Sequence, residues 1–186
     1  MSATPGGRRL HLVRHGRSMP EPNRPPDEWR LAPEAFADID RLRQSGRLPG
    51  TARWFSSPER KALETARRLT DGLISDGDVL VVPELAEHRR SVHWFDSETE
   101  FKDAVRRAFA DPEAPAVPSW EPLSVTRDRL VPAVHRILVA HPDDDVVLAG
   151  HGTAWTLLVS ELTGERPDLA AWERLAMPDL WVVDLG

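Results

Sequence analysis

VVLAGHG, Val146 to Gly152, is the stretch on which the reading of the fold turns. Val146, Val147, Leu148 and Ala149 are apolar without alternation, the signature of a strand buried on both faces of a sheet. A helical run, Ala154 to Leu162, follows almost at once and is stopped by Thr163-Gly164. The same grammar recurs on either side. Leu10-His11-Leu12-Val13 is a short strand that runs into Arg14-His15-Gly16, and Ala52 to Phe55 is another, followed by Ser57-Pro58-Glu59. That Ser-Pro start opens a helix with Ala62, Leu63, Ala66 and Leu69 as its buried stripe, ending near Asp71-Gly72. Pro33 to Gln44 carries Phe36, Ile39 and Leu42 at helical spacing before Ser45-Gly46. Asp78 to Pro83 reads as a further fully buried strand and Leu180 to Val183 as the last one. Strands alternating with helices predict an α/β fold, a three-layer α/β/α sandwich with a mainly parallel central sheet.

Two proline-rich segments interrupt this rhythm. Pro20 to Pro26 holds four prolines, and Asp111 to Pro122 holds four more between the helical runs Glu98 to Ala110 and Val125 to Ala140. Residues from about 87 to 122 are expected to form a helical and loop insertion over the C-terminal edge of the strands, within one domain spanning 1–186. At 186 residues the chain suits one sizeable core. Its net charge of -6 gives no global attraction to nucleic acid or to an acidic membrane. Zero cysteines exclude disulfides, thiolate metal sites and thiol nucleophiles. The first residues lack the apolar core of a signal peptide and no run approaches a membrane span, so a cytoplasmic location is expected. Nothing in the sequence reports on oligomeric state.

In an open α/β sheet, ligands bind beyond the carboxyl ends of the strands, where the following helices point their N-termini. Arg14, His15, Arg60, Glu87 and His151 fall in that zone, with Gly16, Gly150 and Gly152 expected to allow sharp turns and a close ligand. The set suits phosphoryl transfer through histidine. A neutral imidazole is a competent nucleophile near pH 7, nearby cations favour the neutral form, and guanidinium forks grip phosphoryl oxygens. A carboxyl near a dianionic phosphate has its pKa raised and can hand a proton to the leaving alkoxide.

In these residues the chain resembles the histidine phosphatase superfamily, in its phosphoglycerate mutase-like branch. The resemblance rests on Leu12-Val13-Arg14-His15-Gly16 with Ser18, on Ser56-Ser57-Pro58-Glu59-Arg60 with Thr65-Ala66, on Leu85-Ala86-Glu87, and on Gly150-His151-Gly152. It implies a phosphorylated nucleophile at His15, a proton donor at Glu87, and a phosphate pocket completed by Arg14, Arg60 and His151, with no metal and no cofactor. Arg17, Ser18, Arg89, Arg90 and Thr153 are candidates for further substrate contacts. The chain has Pro20-Glu21-Pro22 where mutase-like members carry an asparagine, and no tail follows Gly186 to enclose a bisphosphorylated intermediate. Hydrolysis of a small phosphorylated substrate, or of a phosphoprotein, is therefore the expectation. A phosphomutase and a non-catalytic phosphate-binding module are the alternatives.

Other polar clusters have simpler readings. His11 and His15 lie four residues apart, but along a strand that is about 13 Å, too far for one zinc ion. Asp143-Asp144-Asp145 reads as a solvated turn. Arg89 and Arg90, with His88 and His93, are either anchors for a second anionic group or a solvated loop. Trp29, Trp94 and Trp120 either line a substrate mouth or pack the insertion onto the sheet, and packing is the slightly favoured reading.

Overall fold

In the computed structural model residues 7–72, 79–91 and 94–186 are described. Asp78, at the start of one expected strand, and His93 lie outside them. The strands are β1 (Arg9–Arg14), β2 (Arg53–Ser56), β3 (Val79–Val81), β4 (Val146–Gly150) and β5 (Asp179–Asp184), in the order β3-β2-β4-β1-β5. The first four pair in parallel, and β5 adds antiparallel to β1. Helices α1 (Ala35–Gln44), α2 (Arg60–Thr70), α3 (Glu98–Ala110), α4 (Leu123–Ala140), α5 (Gly152–Thr163) and α6 (Leu169–Glu173) complete the chain. The expected α/β class holds.

Alternation along the central strands makes the layers. Leu10, Leu12, Val146 and Leu148 face α4 and α5, packing with Leu130, Val134, Trp155 and Leu158. Val13, Val147 and Ala149 face the other way, onto Ala35, Ile39, Ala66 and Leu69 of α1 and α2. A smaller apolar cluster gathers Ala104 and Val105 of α3, Val117, Trp120 and Trp172 of α6. It joins residues 87–122 to the turn beyond α5.

Several expectations shift in detail. Asp78 to Pro83 is not a fully buried strand: β3 is a short edge strand with Leu80 and Val81 exposed, because no strand pairs beyond it among the described residues. On α1 the buried face is Ala35, Ile39 and Leu42, while Phe36 is exposed one step off that face. Helix α5 begins at Gly152, with His151 as its N-cap, earlier than the apolar run suggests.

The glycines beside the histidines also have a different reason from the one expected. None of Gly16, Gly150 and Gly152 has a positive φ, so the backbone there needs no glycine for its turn. Space is the constraint. A Cβ on Gly150 would sit 2.4 Å from Cζ2 of the fully buried Trp155, whose indole N–H donates to the Val13 carbonyl at 2.9 Å. A Cβ on Gly16 would lie 2.9 Å from Ile39 Cδ1. Gly150→Ala is therefore expected to lower the unfolding free energy by about 1–3 kcal/mol, as overpacking of a rigid indole does, measured by urea denaturation against the native chain.

Candidate active site

Parallel register brings the site together. Arg14 pairs with Gly150 across β1 and β4, and Ser56 with Ala149 across β2 and β4, so the three strands end level. The ladders run one residue further: His15 N–H donates to the Gly150 carbonyl and Ser57 N–H to the Ala149 carbonyl, each at 2.9 Å. His15, Ser57 and His151 thus leave the sheet side by side. The two imidazole rings meet edge to face, 5.3 Å between centroids.

His15 is buried, and its Nδ1 lies 2.7 Å from the Gly16 carbonyl oxygen. A carbonyl only accepts, so Nδ1 carries the proton and Nε2 keeps a free lone pair. Gly16 N–H is in turn held by Thr65 Oγ1 at 3.0 Å. Burial, then His151, Lys61 and Arg14, push the His15 pKa well below the ordinary value, outweighing the Gly16 bond. His151 is fully buried, with Nε2 at 2.7 Å from Ser57 Oγ and 3.4 Å from a Glu59 carboxylate oxygen. Burial carries its pKa down to about 3, helped by Lys61, Arg90 and Arg14 and opposed by Glu87. Both imidazoles are neutral at pH 7.

Glu87 caps α5. Its carboxylate accepts from the Thr153 and Ala154 N–H groups at 3.2 and 2.9 Å, and from His88 N–H at 2.9 Å. Burial raises its pKa, but Arg90, His151 and the His88 N–H outweigh that and leave it lowered. The protein's own groups therefore hold Glu87 ionised. The raised pKa expected from the sequence needs the charge of a phosphate beside it.

The structure does not bring Arg60 to this cluster. Arg60 is the first residue of α2, and its guanidinium pairs outward with Glu64 at 2.6 Å, its side chain 53% exposed. Lys61, one residue on and about 100° round the helix, turns inward instead. It is buried, its Nζ bonds Glu59 at 2.6 Å and the Pro26 carbonyl, and it lines the same cavity as His15. Thr65 offered the signal: it sits on the inner face of α2, and the residue four before it is Lys61, not Arg60.

That cavity, about 430 Å³, is lined by Arg14, His15, Ser18, Lys61, Glu87, Arg90, Gly152 and Thr153. Arg14 donates to the carbonyls of Leu175 and Ala176 at 3.0 and 3.3 Å. Its Nε is buried without a hydrogen-bond partner. Arg90, read from the sequence as a candidate substrate contact or a solvated loop cation, is central: it donates to Thr153 Oγ1 at 2.8 Å and lies over Phe101 and Trp120 at 5.1 and 4.6 Å. Its Nε too is buried and unpartnered. Arg17 and Arg89 are exposed and do not line the cavity. His88 is a packing residue, bonded to the Glu121 carbonyl at 2.7 Å and set edge to face on Trp120. His11 is buried in the sheet, 3.8 Å from Asp145.

Sequence reasoning missed Lys61 and Glu59. Glu59 accepts from Glu87 N–H at 2.8 Å, holds Lys61 and approaches His151, joining three parts of the site through one buried carboxylate. A larger cleft, about 750 Å³, lies beside Glu59, Glu87 and Arg90 but reaches neither histidine. The chemistry belongs to the smaller one.

Three comparisons bear on this geometry. The family model described as histidine phosphatase superfamily (branch 1) matches residues 10–184. No curated protein sequence matches the chain. Among solved structures, a mycobacterial glucosyl-3-phosphoglycerate phosphatase in complex with VO3 is similar at TM-score 0.70 and 22% identity, covering 94% of this chain and 92% of the other. YhfR of Bacillus stearothermophilus is similar at 0.69 and 19% over 96% and 91%, and TTHB049 of Thermus thermophilus at 0.62 and 26% over 95% and 94%.

The lowered imidazoles couple the site to stability. His15, His88 (about 4) and His151 (about 3) have folded pKa values below the 6.5 of a free histidine, so below pH 6.5 the unfolded chain binds protons that the folded chain does not. Their contribution is full above about pH 6.5 and is lost as pH falls toward the folded values, at about 1 kcal/mol per pH unit for each histidine. Urea midpoints are expected to fall steadily from pH 6.5 to 5, and less steeply in His88→Gln.

Proposed function

Because the chain belongs to the histidine phosphatase superfamily, we propose that it is a metal-independent phosphatase that hydrolyses a phosphate monoester through a phosphohistidine at His15. The observation that carries this reading is the His15 tautomer: Nδ1 is committed to the Gly16 carbonyl, which leaves Nε2 as an unprotonated nucleophile in a cavity lined by Arg14, Lys61 and Arg90. A phosphatase activity agrees with the similarity to the mycobacterial glucosyl-3-phosphoglycerate phosphatase.

The steps follow from the positions. Arg14, Arg90 and Lys61 hold the phosphoryl oxygens, and the α5 N-terminus adds partial positive charge. His15 Nε2 forms a bond to phosphorus as the ester P–O bond breaks in line. The arriving dianion raises the Glu87 pKa, so Glu87 takes up a proton and delivers it to the leaving alkoxide. Glu87, again a carboxylate, then removes a proton from the water that attacks phosphorus. The P–N bond breaks, inorganic phosphate leaves and His15 is restored. His151, neutral and held by Ser57, supports the phosphoryl group without adding a competing positive charge.

Release of inorganic phosphate from p-nitrophenyl phosphate in the presence of EDTA tests the proposal. Activity is expected to persist in EDTA and to fall at least about 1,000-fold in His15→Ala. Lys61→Met should cost about 10- to 100-fold in kcat/KM, whereas Arg60→Ala should change it by less than about twofold. Undiminished turnover in His15→Ala, or loss of turnover on chelation, would overturn the mechanism.

A further inference from the structure

The cavity at His15 continues into a second one of about 400 Å³, and Trp29, Arg90 and Phe101 line both. Beyond them the second cavity is walled by Trp94 and Phe95, with Pro20 and Pro26 along one side. Trp29 has its indole N–H turned away, donating to the carbonyls of Glu21 and Arg24 at 3.3 and 3.1 Å. The ring is thereby fixed by its polar edge. Trp94 is 53% exposed, a large apolar ring left in water at the side of a polar pocket. Trp120, by contrast, is buried beneath Arg90 and packs the insertion. All three tryptophans line this cavity, and Trp120 also packs the insertion.

The charges decide what kind of group the extension suits. Four cations line the phosphate cavity, but Lys102 is paired with Glu98 at 2.7 Å and Lys61 with Glu59 at 2.6 Å. The lining residue Glu173 is paired with Arg106 at 2.5 Å. Arg14 and Arg90 are the two lining cations without a carboxylate salt bridge among the described residues, and each has a buried, unpartnered Nε. Two such charges match one phosphate dianion. No lining cation without a carboxylate partner is left over for a second anionic group.

Resting on the phosphatase reading above, we propose that the cleft of Trp29, Trp94 and Phe101 is the subsite for the alcohol portion of the substrate, and that this portion is uncharged and aromatic. A flat ring slides between the edges and faces of fixed aromatic side chains and stacks there, while Arg90 ties the two subsites together, one end on the phosphate and one face over the rings. The substrate class is thus an aryl-bearing phosphate monoester rather than a phosphorylated carboxylic acid.

The test avoids aryl phosphates, whose good leaving groups react fast in any such site, and compares esters with alkoxides of similar basicity. With 2-phenylethyl phosphate the native protein is expected to show kcat/KM at least about tenfold above that with ethyl phosphate or 3-phosphoglycerate, the gain from burying one ring. In Trp94→Ala the ratio of phenylethyl to ethyl ester should shrink to within about threefold. Calorimetry with the non-hydrolysable 2-phenylethylphosphonate and ethylphosphonate reads the same preference without turnover. If no ester is hydrolysed but the phenylethylphosphonate binds tighter and Trp94→Ala removes the difference, the phosphatase reading fails and the aryl subsite stands. Equal handling of the ring-bearing and ring-free ligands, a preference for 3-phosphoglycerate, or an aryl preference undiminished in Trp94→Ala would overturn the proposal.

Discussion

Everything at the site depends on the pairing of β1 with β4. Arg14 opposite Gly150 places the two histidines that follow them on the same edge, at the same height and within ring contact. A slip of one residue would turn every side chain of β1 to the other face of the sheet and carry His15 away from His151. The apolar alternation of Leu10, Leu12 and Val13 between two cores prevents that slip, and the Trp155 indole, bonded to the Val13 carbonyl and seated against Gly150, clasps the same two strands. Site geometry and core packing are specified by the same few residues.

Around that edge the molecule concentrates charge in a poorly hydrated place. Glu59, Lys61, Glu87, Arg14 and Arg90 lie within a few side chains of each other, an arrangement whose desolvation is tolerated only when nearly every group has a partner. Glu59 has three neighbours and Glu87 has three backbone donors. Buried unmatched atoms among the described residues include the inner nitrogens of the two arginines and Nδ1 of His151. They mark where a ligand of opposite charge, rich in acceptors, completes the network.

Much of this was legible in the sequence, for identifiable reasons. Val146 to Ala149 and Leu10 to Val13 carry strong signals because both lie in the middle of the sheet, and the convergence of His15, Glu87 and His151 was readable because each stands next to a strand or turn that the pattern places. Arg60 misled because residue type outweighed helix phase: an arginine was preferred to the adjacent lysine that faces inward. The status of β3 was hidden because Val79 to Val81 reads equally well as an interior or an edge strand, and only strand order distinguishes them. Arg90 and the tryptophans were undecided because the insertion has no period to read, and its arrangement comes from tertiary contacts alone.

The antiparallel closure of β1 by β5 has a bearing on how the protein is made. β1 leaves the ribosome well before both of its neighbours, β4 and β5. At typical synthesis rates the interval from Leu10 to Val146 is on the order of ten seconds, during which the strand that leads into His15 has neither partner. Helices α1 and α2 can form in that time, but the sheet they cover cannot close around its central strand. The edge that carries His15 is therefore assembled only once β4 has emerged, and nascent chains too short to supply β4 lack the paired edge.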